Sequence, residues 1–156
     1  MAAPAEPGYE VSYDPARVDR DLVHRFLSEE SYWSRGIPRA VVDAALDASL
    51  VAAVYAGDEQ VAHTRVVTDG ATFAWMADVF VVAGHRGRGL GRRVVEAALR
   101  HPALPMDPPI RSWILRTSDA HELYRRFGFH EARPDNVMIR GVPAEELYRA
   151  GRADAL

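Results

Sequence analysis

The segment from residue 84 to residue 93, GHRGRGLGRR, combines four glycines with four arginines. Glycine lets main-chain N–H groups approach an oxyanion closely, and arginine adds positive charge and hydrogen-bond donors. An apolar strand pattern runs into this segment and a helical pattern follows it, so the unpaired N–H groups of a helix N-terminus belong to the same loop. Residue types and context together predict a phosphate-binding loop.

The common nucleotide-binding loops fit this segment poorly. A Walker loop requires a lysine, whereas all 19 basic residues of this chain are arginine. A dinucleotide fingerprint requires G-x-G-x-x-G early in a βαβ unit, whereas Gly87 to Gly91 form G-x-G-x-G after a third antiparallel-type strand. A helix-capping turn with surface arginines stays open as the alternative.

A single carboxylate, Asp78, stands among apolar residues in the strand before the loop. Such a carboxylate is costly unless it is paired or functional, so Asp78 is a candidate general base or ligand of a substrate ammonium group. The alternatives are a strand bulge satisfied by main-chain N–H groups, or an ion pair with Arg65 or a contact with His63 across the hairpin. The scattered histidines lack metal-ligand spacing, and no metal site is predicted.

Hydrophobic periodicity arranges the chain in the order β-αα-βββ-α-β-α-β. This order predicts an α/β (α+β) fold with one mixed sheet and helices on both of its faces. The predicted strands cover 9–13, 50–56, 61–68, 72–82, 112–117, 129–132 and 137–139, and the predicted helices begin near 14, 38, 92, 119 and 143.

Length and composition suit one domain, because the chain has 156 residues of which 48% are hydrophobic. We predict the domain at 9–150, between a disordered N-terminal tail (1–8) and a C-terminal tail (151–156).

A net charge of −3 argues against a nucleic-acid partner. No apolar run approaches the ~20 residues that span a bilayer, and the first residues lack a secretory leader pattern, so a soluble cytoplasmic protein is expected. The absence of Cys excludes a thiolate nucleophile and a Cys-based zinc site.

Two motifs resemble those of the GCN5-related N-acetyltransferases (GNAT family). Arg86-Gly87-Arg88-Gly89-Leu90-Gly91 matches the family signature Q/R-x-x-G-x-G/A, and Tyr124 to Phe129 match Tyr-x-x-x-Gly-Phe. The resemblance covers about residues 9–140. It implies a mostly antiparallel sheet of about six to seven strands that is splayed between the parallel strands 72–82 and 112–117.

The resemblance also implies that acetyl-CoA lies in the splayed gap, with its diphosphate on the glycine loop. The N–H of Val81 would face the thioester carbonyl, and Tyr124 would protonate the departing thiolate, unless it is a core aromatic. Thr117 stands where many members have Asn, and it can also cap the next helix. The implied acetyl-CoA contacts are Phe80, Val81, Val82, Arg86, Gly87, Arg88, Gly89, Leu90, Gly91, Arg92 and Thr117.

The acceptor site is predicted at an aromatic wall beside two acidic residues, Glu29 and Glu30, which would favour a small amine. Packing of these aromatic side chains into the core is the alternative. The expected activity is transfer of an acetyl group from acetyl-CoA to a small-molecule primary amine, by direct attack in a ternary complex. A protein N-terminus or lysine as acceptor, and a non-catalytic acyl-CoA sensor, are the alternatives; a homodimer is common in the family. The predicted wall consists of Tyr32, Trp33, Phe73 and Trp75.

Overall fold

The computed structural model describes residues 8–149 and contains a five-stranded sheet in the order β1-β2-β3-β4-β5. Neighbouring strands are antiparallel from β1 to β4, and β5 is parallel to β4. The central strands are rich in Val, Ala and aromatic residues, which suit a pleated surface that is buried on both sides. The strands are β1 (Tyr9–Ser12), β2 (Leu50–Ala56), β3 (Glu59–Thr68), β4 (Phe73–Val81) and β5 (Ser112–Ile114).

Five α-helices accompany the sheet in the described residues, and none of them is long and apolar enough to cross a bilayer. The predicted helix after Asp14 is interrupted. Asp14 accepts a hydrogen bond from the N–H of Ala16 at 2.9 Å and begins only a short 3₁₀ turn, Pro15–Arg17. The α-helices are α1 (Arg20–Arg25), which continues into a π-helical turn (Phe26–Glu30), α2 (Arg39–Asp47), α3 (Leu90–Leu99), α4 (His121–Arg125) and α5 (Ala144–Leu147).

The chain divides into two compact units, each with its own buried residues. The first unit comprises Leu46–Arg116 and the described part of Met1–Asp19, and it contains the whole sheet and α3. The second unit contains Arg20–Ala45 and the described residues from Thr117 onward. In the first unit the apolar side of α3 packs against β2, β3 and β4. Its core cluster consists of Val54, Val61, Ala62, Leu90 and Val94.

The parallel pair β4–β5 separates as predicted. Three residue pairs join the two strands, and the last of them is Trp75 with Ile114. Strand β4 then continues to Val81, whereas β5 has already ended, three residues short of the predicted boundary. The second half of β4 is therefore paired on one side only within the described chain, by β3.

The prediction of six to seven strands was too high, because the described residues contain five. The predicted fragments 129–132 and 137–139 form no strand. Val137, Met138 and Ile139 are 45%, 100% and 63% exposed, so the β-propensity of Val137 and Ile139 is not matched by a partner strand or a buried face. The predicted tails, apart from Gly8, lie outside the described residues.

Candidate active site

The main chain of Val81 faces the side of β4 that β5 has left. Ala62 pairs with Val81 in the β3–β4 ladder, and the N–H of Val82 donates to the carbonyl of Val61 at 2.9 Å. Hydrogen-bonded and non-hydrogen-bonded pairs alternate in an antiparallel ladder. The Ala62–Val81 pair is therefore a non-hydrogen-bonded one, and the N–H and C=O of Val81 point away from β3.

The two neighbours of Val81 have their main-chain groups directed elsewhere. Phe80 pairs with His63, in the hydrogen-bonded position that follows from the same alternation. Val82 donates to Val61, and its carbonyl accepts from the N–H of His85 at 3.0 Å. Of the three residues predicted to pair with a pantetheine arm, Val81 alone presents both main-chain groups to the gap.

The glycine loop joins β4 to α3 in two left-handed steps. Gly87 and Gly89 have φ values of +76° and +75°, and a Cβ at either position would meet no described atom within 4 Å. The left-handed backbone, rather than crowding, is therefore what requires glycine here. Gly89 is the N-cap of α3, and no side chain caps the helix. The N–H groups of the first helical turn therefore have no side-chain cap among the described residues, which is the arrangement that an anion-binding helix end requires.

The arginines of this loop differ in their roles. Arg86 donates from Nε to the carbonyl of Val81 at 3.0 Å, and Arg93 donates to the carbonyl of Tyr9 at 2.7 Å. Arg88 and Arg92 are exposed. Positive charge therefore surrounds the uncapped end of α3, where the helix dipole favours an anion as well.

Asp78 lies in a β-bulge and pairs with Arg65. The β3–β4 register shifts between His63 and Arg65, and Asp78 has a φ of +55°, in the left-handed region. Its Oδ2 accepts from Nε of Arg65 at 2.5 Å, and both side chains are largely buried. Arg65 also donates to the hydroxyl of Ser49 at 3.3 Å. The ion pair with Arg65, one of the alternatives for Asp78, is therefore present, and it lies at a β-bulge.

His63, the other alternative contact of Asp78, interacts with that carboxylate electrostatically. Its side chain is fully buried, its ring lies 5.5 Å from that of Phe80, and neither ring nitrogen has a hydrogen-bond partner in the described residues. Burial lowers the pKa of His63 to about 4; the Asp78 carboxylate opposes this shift and the Arg65 guanidinium adds to it. His63 is consequently neutral at pH 7.

Tyr124 is a buried residue of α4 in the second unit. Its ring makes an edge contact with Phe129 at 6.0 Å, the neighbour expected from the sequence. Burial, with smaller contributions from the neighbouring Tyr32 and Asp119, raises the pKa of Tyr124 to about 12. The phenol therefore keeps its proton at neutral pH, as a proton donor must.

Thr117 and Tyr32 stabilise the turn that leads into α4. The hydroxyl of Thr117 accepts from the N–H of Ala120 at 3.0 Å, and the hydroxyl of Tyr32 accepts from the N–H of Ser118 at 2.9 Å. Thr117 thus has the turn-capping contact that was considered as an alternative to cofactor binding. The Tyr32 contact joins the chain after the π-helical turn to the turn before α4, and no sequence pattern indicates it.

The predicted aromatic residues fall into two groups. In the second unit Tyr32 makes an edge contact with Trp33 at 5.0 Å, and Trp33 lies 6.3 Å from Phe26. In the first unit Phe73 and Trp75 lie at the paired end of β4, opposite β5. Tyr32 and Trp33 are both more than one-third exposed, so this pair is open to a ligand.

Similarity to known proteins decides the family. The family model that describes the acetyltransferase (GNAT) domain matches residues 47–131, more than half of the chain. A candidate acetyltransferase from Gibberella zeae is 30% identical over 154 residues, which cover 86% of this chain and 85% of the relative. The chain belongs to the GNAT family. It is an acetyltransferase with a single-domain GNAT fold.

Solved structures agree with this assignment. A candidate GNAT acetyltransferase from Xanthomonas campestris pv. campestris is 42% identical, with a TM-score of 0.84 over 92% of this chain and 98% of that one. The aminoglycoside N-acetyltransferase AAC(6′)-Iy in complex with CoA is 13% identical, with a TM-score of 0.61 over 90% of this chain and 99% of that one, which shows a shared fold alone. Within residues 8–149 of this GNAT protein, no three His, Asp or Glu side chains are grouped to hold a metal ion.

The buried His63 should make the stability of this acetyltransferase depend on pH. Its pKa is about 4 in the folded protein and ~6.5 in the unfolded chain, so the unfolded chain binds the extra proton between these values. The free energy of unfolding should therefore fall by about 2 kcal/mol from pH 7 to pH 5 through this residue, and change little above pH 7. Urea unfolding at both pH values measures this slope.

The variant His63→Leu should flatten the slope by that amount, since it removes the titrating group. His130→Gln is the matched control, because His130 is exposed. Equal slopes in the wild-type protein and His63→Leu would contradict the assignment of a buried neutral imidazole.

Proposed function

We propose that this GNAT protein transfers the acetyl group of acetyl-CoA to a primary amine of a small molecule, by direct attack in a ternary complex. The observation that carries the proposal is the end of β4. The strand loses its β5 partner after Trp75, and the Val81 peptide groups turn away from β3 immediately before the glycine loop. A main-chain donor and a phosphate-binding loop are thus joined by a few residues.

Acetyl-CoA would supply an activated acyl group and a thiolate leaving group. In the proposal the amides from Arg86 to Arg92 hold its diphosphate, a role supported by the uncapped α3 N-terminus and the left-handed glycines. The N–H of Val81 donates to the oxyanion that develops when the amine attacks. The carbonyl of Val81 already accepts from Nε of Arg86, so an N–H of the pantetheine arm would use the second lone pair of this oxygen or displace the Arg86 side chain.

Two side chains are proposed to handle protons. Tyr124 protonates the departing thiolate; the rise of its pKa to about 12 through burial supports this role because the phenol is then protonated at neutral pH. Asp78 accepts the amine proton, directly or through water, or holds the ammonium group before attack. The Arg65 ion pair fixes the orientation of Asp78 but also occupies one of its carboxylate oxygens.

The acceptor is proposed to be a small cationic amine on grounds of charge and aromatic exposure. Glu29 and Glu30 are exposed in the π-helical turn, and the exposed Tyr32–Trp33 pair follows directly. Carboxylates and aromatic faces both attract an ammonium group. Phe73 and Trp75, which the sequence predicts as acceptor contacts, belong to the first unit and stay a prediction.

A direct assay separates the proposed activity from its alternatives. Purified protein is mixed with acetyl-CoA and either small primary amines or peptides with a free N-terminus or lysine, and thiol release is followed. Turnover with small amines is the expected result. Turnover with peptides alone would replace the proposed acceptor class, and CoA binding without turnover on either set would indicate a sensor.

Charge reversal in the glycine loop should weaken coenzyme A binding. We expect Arg88→Glu to raise the Kd for CoA about tenfold or more, because an exposed donor to a diphosphate becomes a repelling carboxylate. Calorimetric titration with CoA measures the change. Arg100→Glu is the matched control, since Arg100 is exposed just beyond the opposite end of α3, ~15 Å along the helix axis. Equal losses in the two variants would indicate a general charge effect and remove the loop as the diphosphate site.

Removal of the two proposed proton-handling groups should lower kcat. Tyr124→Phe and Asp78→Asn should each reduce kcat about 100-fold or more, the usual contribution of a positioned acid or base, with a smaller effect on the KM for acetyl-CoA. Steady-state thiol release at saturating amine measures both constants.

Each control makes a comparable change without removing a group that is proposed to handle a proton. Tyr55→Phe removes another buried phenol, which donates to the carbonyl of Arg17 at 2.8 Å. Arg65→Gln breaks the ion pair and keeps the carboxylate of Asp78. If Arg65→Gln lowers kcat as much as Asp78→Asn does, with equal losses of stability, Asp78 is a structural residue and not the base.

A further inference from the structure

We propose that Tyr9, in the first strand, is a positioning residue for coenzyme A. It acts by holding the glycine loop at both of its ends. This inference rests on the proposed role of residues 86–92 in diphosphate binding. Tyr9 itself lies outside both sequence motifs and outside the predicted site.

The first contact is made by the side chain of Tyr9. Its hydroxyl lies 3.0 Å from Nδ1 of His85, and the two rings meet edge to face at 5.8 Å with an interplanar angle of 81°. His85 is the last residue of the 3₁₀ turn Ala83–His85, directly before Arg86. The phenol donates to Nδ1 when His85 carries its proton on Nε2. The start of the loop is thereby fixed to β1.

The second contact is made by the main chain of the same residue. The carbonyl of Tyr9 accepts a hydrogen bond from a terminal guanidinium nitrogen of Arg93 at 2.7 Å, and the charge of Arg93 strengthens this bond. Arg93 also makes the first main-chain bond of α3, from its N–H to the carbonyl of Gly89 at 3.1 Å. The end of the loop is thus fixed to β1 as well.

Packing keeps Tyr9 in place between these two contacts. Tyr9 pairs with Ala56 of β2, and its ring packs against the core cluster that includes Leu90 and Val94 of α3. The loop that it brackets contains Gly87 and Gly89, whose backbones lose the most conformational freedom when a ligand orders them. A loop that is held at both ends before binding loses less on binding, so its affinity for the ligand is higher.

The test measures affinity and loop order separately from global stability. Tyr9→Phe removes the hydroxyl and keeps the ring and the carbonyl. We expect the Kd for CoA, measured by calorimetry on the full chain, to rise about threefold to tenfold, the usual effect of one hydrogen bond. Amide hydrogen exchange of residues 86–92 in the protein without CoA should become faster. A merely structural role for the hydroxyl would lower the Tm and leave the Kd unchanged.

Two further variants make the test specific. Tyr13→Phe is the matched control, because Tyr13 follows the same strand and makes a similar edge contact with His101, at 4.8 Å, away from the loop. His85→Leu should reproduce the Kd of Tyr9→Phe, and the double variant should be no weaker than either single one, because all three remove the same bond.

The possible failures are distinguishable. If the wild-type protein binds CoA and both Tyr9→Phe and His85→Leu bind it equally well, the positioning role is wrong and the proposed loop function stands. If Tyr13→Phe weakens binding as much as Tyr9→Phe, the effect belongs to the strand in general and the proposal is overturned. If the wild-type protein gives no heat with CoA, the proposed function fails and the positioning role falls with it.

Discussion

The alternation of hydrogen bonds along an antiparallel ladder is the constraint on which the site depends. Once Val82 is bonded to Val61, the peptide groups of Val81 must point to the opposite edge of β4. A main-chain donor and acceptor at a sheet interior normally need a partner, and a parallel strand would provide one. Because β5 ends at Ile114, it does not pair with this edge; the Val81 carbonyl accepts from Arg86, and the Val81 N–H is the donor that we propose for the substrate. The proposed chemistry therefore depends on the early end of β5.

The bulge at Asp78 places charge inside this same strand. A left-handed residue in the middle of a strand is unfavourable for most side chains, although Asp tolerates it better than most. The ion pair with Arg65 compensates the buried carboxylate, and the fully buried His63 stays neutral beside both charges. The three residues place two charges and a buried imidazole in a sheet whose other buried side chains are mostly apolar. Burying these groups costs free energy of folding, and this cost supports the proposed role of Asp78 in proton handling.

Helix α3 connects the core to the proposed anion-binding loop. Its buried side chains, including Val94, Val95 and Ala98, fix the helix against three strands of the sheet. The same packing fixes the position of the free N–H groups at its N-terminus, because the helix cannot rotate without exposing that apolar side. Gly87 and Gly89 supply the left-handed backbone of the turn before this helix. The contacts of Tyr9 with His85 and Arg93 hold that turn at the start of the helix.

The sequence by itself determined the family, the order of the main elements and the glycine loop, because these depend on local patterns of glycine, charge and periodicity. It overestimated the strand count at residues 129–139, since a strand exists only where a partner or a buried face completes it. Only the tertiary structure showed that Val81 is turned to the gap, that Asp78 is paired with Arg65, and that Tyr9 reaches His85 from 76 residues away. Each of these features depends on strand register or on side chains that are distant in sequence. A local pattern of residues encodes neither the register nor such distant contacts.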